Sequence, residues 1–75
     1  MSKKLKTAIL ANKVSIRSKQ SGEVSVWYRT REGQRSTVVV RGFSTTELAP
    51  KLTDAAMLQW SNLDQLVKQG AIEIV

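Results

Sequence analysis

From Lys13 onward the chain alternates polar and apolar residues, the period-two signature of a strand with one buried face. Val14 and Ile16 share one side, while Lys13, Ser15, Arg17 and Lys19 share the other. Gln20-Ser21-Gly22 supplies turn chemistry. A second run sets Val24, Val26 and Tyr28 against Glu23, Ser25, Trp27, Arg29 and Arg31. Glu32-Gly33 turns the chain again, and a third run sets Ser36, Val38 and Val40 against Arg35, Thr37, Val39 and Arg41. Alternating runs joined by tight turns predict an antiparallel β-meander.

After Gly42 the period changes. Ser44-Thr45-Thr46-Glu47 fits a capping box, with Pro50 limiting any helix there to about one turn. Farther on, Ala56, Trp60, Leu63 and Val67 recur at helical spacing, joined by Leu66 on the same face. Thr53 or Asp54 can cap this segment, and Ser61-Asn62-Leu63-Asp64 carries a second N-cap signal inside it. Two readings stay open: one helix over about 54–69, or a break near Trp60 and a new helix from Asn62. Lys68 and Gly70 are stop signals, and Ala71 to Val75 reads as a closing strand. That strand either joins the meander or, at an edge, adds to a neighbour's sheet. The helical face is expected to cover the apolar side of the sheet, because no other amphipathic helix is evident.

Residues 1–12 read as a basic N-terminal tail, frayed over residues 1–6, followed by a short apolar segment at Ala8–Ala11 that suits a strand or a docking contact. Residues 13–75 form the single predicted domain, of α+β class: a small antiparallel meander of three to five strands packed against one C-terminal helix. At 75 residues the core supplies only a few kcal/mol of net stability, so oligomerisation or docking onto a larger body is expected to share the load.

Charge sharpens the division. Residues 1–46 carry ten Lys and Arg against two acids (+8), and residues 47–75 carry two against four (−2). A basic β portion beside a mildly acidic helical portion suggests different partners, or head-to-tail self-association. The exposed side of the meander would present Lys13, Arg17, Lys19, Trp27, Arg29, Arg31, Arg35 and Arg41. Arg and Trp are enriched in protein–protein hot spots, which makes a protein-contact face the leading reading. The same residues suit single-stranded nucleic acid, with cations on phosphate and indole on a base. A solvated polar face is the third reading. Lys3, Lys4 and Lys6 in the tail either stay solvated or grip an acidic partner or nucleic acid.

Catalysis has little to build on. The chain has no Cys and no His, which removes thiolate chemistry, an imidazole base and the common zinc sets. Its six carboxylates are widely spaced, and Asp64 with Lys68 is an ordinary i,i+4 ion pair. The glycines are isolated, so no phosphate-cradling loop is visible. No enzyme activity and no cofactor are expected. The Thr7–Ala11 run is too short for a signal-peptide core or a membrane span, so a soluble intracellular protein is expected. The long helix carries little positive charge, which argues against major-groove reading.

Val14-Ser15-Ile16-Arg17-Ser18-Lys19 leading into Gly22, and Trp60-Ser61-Asn62-Leu63-Asp64-Gln65-Leu66-Val67-Lys68-Gln69-Gly70 running into Ala71-Ile72-Glu73-Ile74-Val75, give an order of features that resembles the short accessory proteins of tailed, Mu-like bacteriophages. The matching segments cover under half of the chain. The resemblance implies a β-hairpin module, a helix and a closing strand. It also implies a virion or assembly component that docks on a larger capsid or tail protein in many copies, in the cytoplasm of an infected host or within the virion. It carries over no site residues.

Overall fold

The computed structural model describes residues 1–75 and shows a mixed α+β domain with five antiparallel strands in two sheets. The elements in chain order are α1 (Lys3–Leu10), β1 (Val14–Ser18), β2 (Val24–Arg29), β3 (Arg35–Val40), β4 (Thr45–Ala49), a 3-10 turn (Ala55–Gln59), α2 (Leu63–Lys68) and β5 (Ile72–Ile74). The strands expected from alternation are present. Val14, Ile16, Val24, Val26, Tyr28 and Val40 face the core, and Val38 is partly buried against it.

Their arrangement corrects the meander. β2 and β3 form a two-stranded hairpin, whereas β1 lies at the centre of a separate sheet of order β4-β1-β5. Gln20-Ser21-Gly22 is therefore a passage between sheets and not a hairpin turn. It meets the return passage at Gly42, where an added Cβ would lie 2.7 Å from the Gln20 carbonyl oxygen and closer still to that of Ser21. The two crossings pack backbone on backbone there.

The N-terminal segment is not a tail. Ser2 caps α1, its Oγ accepting from the Leu5 N–H at 3.2 Å. Leu5 is fully buried, and Ala8 and Ile9, three and four residues on, pack against the same core. The helix stops because Asn12 adopts a left-handed conformation (φ 57°). The Lys13 N–H then donates to the Ala8 carbonyl and the Asn12 N–H to that of Ile9, which satisfies the last turn. Ala8–Ala11, expected as a strand or docking segment, is thus the end of a core-covering helix and its cap.

One further expectation is corrected, and one open alternative is decided. Thr45–Ala49 is a strand rather than a capped turn, because β1 offers it an antiparallel ladder, irregular only at Leu48 where the register shifts between Val14 and Ser15. The 54–69 stretch is broken at Trp60, in agreement with the second of the two readings. The 3-10 turn ends at Trp60, and α2 begins after Asn62. The break unmakes the supposed apolar face. Leu63 is buried and Leu66 and Val67 pack beside it, but Ala56 is exposed and Trp60 is 55% exposed. α2 ends as the stop signals implied: Gly70 takes φ 77°, its N–H donates to Val67, and the Ala71 N–H donates to Leu66.

β5 closes the molecule. It pairs antiparallel with β1, Ile16 facing Ile74 and Ser18 facing Ile72. Leu5, Ile16, Leu48, Leu58, Leu63 and Ile72 are the largest side chains lost from solvent, so helices and both sheets share one core. No helix is long and apolar enough to cross a membrane.

Candidate docking face on the β2–β3 hairpin

The hairpin's inner side faces the core, and its outer side holds the most distinctive surface of the molecule. The free edge of β2 is sealed by Trp60-Ser61-Asn62, which runs alongside it. The Arg29 N–H donates to the Trp60 carbonyl at 3.0 Å. Asn62 acts as a side-chain clamp: its Oδ1 accepts from the Trp27 N–H at 2.9 Å, and its Nδ2 donates to the Ser25 carbonyl at 3.1 Å. The Asn62 N–H also donates to the Trp27 carbonyl, and Ser61 bridges Tyr28.

This register aligns side chains across three backbones. Trp60 stands opposite Arg29, which stands opposite Arg35. Trp27, two residues before Arg29, stands opposite Thr37. The Arg35 guanidinium carbon lies 4.4 Å from the centroid of the Trp27 ring, a cation–π contact that half-buries the indole. Arg29 donates from Nη1 to the Gly33 carbonyl at 2.9 Å, which ties it to the hairpin turn. The result is a pair of arginines with the Trp27 indole stacked on one of them, exposed Trp60 on the adjoining backbone and Val39 exposed along β3.

The electrostatics are unbalanced. Arg29 and Arg35 face each other directly, and neither has a carboxylate within ion-pair distance. Like charges at directly opposed positions are destabilising, and a bound anion would relieve them. Arg31, at the turn, is drawn away into an ion pair with Asp54.

The other predicted residues are not part of this face. Arg17 projects from the β4-β1-β5 sheet, 3.9 Å from Glu73, and shares a shallow depression with Lys19 and Phe43. Lys13 lies in a separate groove with Lys3 and Lys4, over Ala8, Ala11, Ile74 and Val75. Arg41 follows β3, where its carbonyl accepts from the Ser44 hydroxyl at 2.6 Å. The eight side chains thus divide among separate patches because β1 left the hairpin's sheet.

Sequence reasoning missed Trp60 as a site residue, assigning it to a helix face. The signal was available in Ser61-Asn62-Leu63-Asp64, which marks a helix start just after Trp60. It also missed Phe43, which is 61% exposed and held at φ 59°, a left-handed conformation uncommon for a bulky residue. The one clearly displaced titration is that of Asp64, which accepts from the Ser2 N–H at the start of α1. The Lys68 hydrogen bond, the Ser2 N–H and the Lys68 charge hold its carboxyl below the ordinary 3.8. Comparison with protein-family models, curated proteins and solved structures gives no match.

Proposed function

We propose that the chain is a small non-enzymatic docking protein, which uses the Trp27–Arg29–Arg35–Trp60 face to attach to an acidic patch on a larger protein. The observation that carries this reading is the directly opposed Arg29–Arg35 pair, which has no carboxylate partner and lies beside Trp27 and the exposed Trp60. Carboxylates accept bidentate hydrogen bonds from guanidinium groups, and the tryptophans supply apolar area that excludes water around them. The resemblance to short tailed-phage accessory proteins supports a capsid or tail component as the larger body. Attachment in many copies would let weak single contacts add up.

A nucleic-acid ligand is the second reading, favoured by the same exposed arginines. The stacking geometry counts against it, because one side of Trp27 already carries Arg35. The test is binding to labelled single- and double-stranded oligonucleotides over a salt series, beside recovery of tagged protein from cells producing it. The docking reading expects oligonucleotide binding that is weak and unchanged by Trp60→Ala. It also expects a protein complex of fixed stoichiometry that the same substitution dissolves. Tight oligonucleotide binding with a steep salt slope, lost with Trp60→Ala, would overturn it.

A further inference from the structure

The hairpin has a second edge, and that edge is open. In an antiparallel ladder, successive residues direct their backbone groups alternately toward and away from the partner strand. On β2, Ser25, Trp27 and Arg29 direct theirs away from β3, into the Trp60–Asn62 segment. Their register partners on β3 are Val39, Thr37 and Arg35. These three must therefore direct their N–H and C=O groups outward, where no hydrogen bond meets them.

Of the ordinary protections the edge keeps only the charge of Arg35. β3 pairs with β2 in continuous register, contains no Pro and carries no Lys. Its outward side chains run Arg35, Thr37, Val39, and Val39 is 51% exposed. The charge at this edge is positive: Arg35 lies on β3, Arg29 one strand in and Arg41 just beyond, all without an ion-pair partner.

We propose that β3 accepts an added antiparallel strand from an acidic, extended segment of the partner protein. The added strand places a carboxylate across from Arg35 and an apolar residue across from Val39, while its backbone meets the outward groups of Arg35, Thr37 and Val39. A second copy of this chain fits less well, since it would bring another strongly basic β portion against this one. The proposal rests on the docking reading and specifies the chemistry of the partner.

The test uses a fluorescein-labelled peptide, Glu-Val-Glu-Thr-Glu-Glu-Glu, read by anisotropy against the full chain; running antiparallel to β3, its valine at the second position falls across from Val39 and its glutamate at the sixth across from Arg35. Thr37→Pro removes one outward N–H and no ladder bond to β2, as proline on an edge strand permits. The expected result is saturable binding, weakened about tenfold or more by Thr37→Pro and by Val39→Lys. Hydrogen exchange on the unsubstituted protein provides a readout independent of any folding defect. The Thr37 and Val39 amides should exchange fast when free and slow at least about tenfold with peptide bound.

Absence of binding at millimolar peptide would overturn the proposal. So would binding with both amides still exchanging fast, which would signify charge attraction alone, or a protein dimer that Thr37→Pro dissolves. The two proposals fail separately: a partner complex lost with Trp60→Ala but indifferent to Thr37→Pro keeps the face and discards the edge.

Discussion

Substituting Gly42 by alanine tests the contact between the two crossings. At this position the backbone lies outside the left-handed region, so alanine is conformationally acceptable. By the unfolded-chain argument alone, Gly42→Ala would stabilise the protein by about 0.4–1 kcal/mol. The added Cβ, however, would lie 2.7 Å from the Gln20 carbonyl oxygen and nearer to that of Ser21. Both obstacles are backbone, so neither can rotate aside as a side chain would. Overpacking of this kind costs about 1–3 kcal/mol. A loss of 2 kcal/mol lowers the Tm of a domain this size by about 8–16 °C. Gly22→Ala is the matched control, because nothing lies within 4 Å of its added Cβ. That variant should gain stability, by about 0.4–1 kcal/mol, or about 2–8 °C. The assay is urea and thermal unfolding followed by circular dichroism, with the urea m-value checked for constancy. If Gly42→Ala matches or exceeds the native protein, the close approach of the two passages is wrong.

Leu5→Ala should cost about 2–5 kcal/mol in urea unfolding, because it empties a fully buried site; a loss below about 0.5 kcal/mol would restore the picture of a frayed tail. Asn62→Ala should cost about 1–3 kcal/mol and speed exchange at the Trp27 amide, since it removes that amide's acceptor. Asp64 has a folded-state pKa below its unfolded value, so its contribution is full above the ordinary 3.8 and is lost as pH falls through the lower folded value. Asp64→Asn should therefore flatten the acid limb of the stability profile, and an unchanged limb would count against the Lys68 and Ser2 contacts.

Alternation along single runs was sufficient to assign the inward side chains of β1, β2 and β3, because burial of one face imposes a two-residue period whichever strand lies alongside. Partnership was not legible for the same reason: the period of Val14 and Ile16 is identical in a meander and at the centre of another sheet. Ser44–Glu47 illustrates a local signal overruled from afar. Its residues suit a cap, but Thr45 and Thr46 are also β-branched, and the ladder offered by β1 decides the matter. The signals for α1 were present in Ser2, Leu5, Ala8 and Ile9, though Lys3, Lys4 and Lys6 gave the segment the look of a solvated tail. The candidate face was half legible. Trp27, Arg29 and Arg35 followed from alternation, whereas Trp60 required knowing that the helix breaks and that the break runs beside β2.

The position of β1 at the centre of its sheet has a consequence during synthesis. Ile16 emerges from the ribosome well before its partner Ile74, fifty-eight positions later. At ordinary elongation rates the delay is roughly 3–12 s, during which β2 and β3 can pair locally but β1 cannot complete its sheet. An apolar strand kept waiting is an invitation to pair with another nascent chain. Lys13, Arg17 and Lys19 flank Val14 and Ile16 with positive charge, and on neighbouring chains these charges repel one another. Residues that end on separate patches of the finished molecule would thus act together as gatekeepers while it is being made.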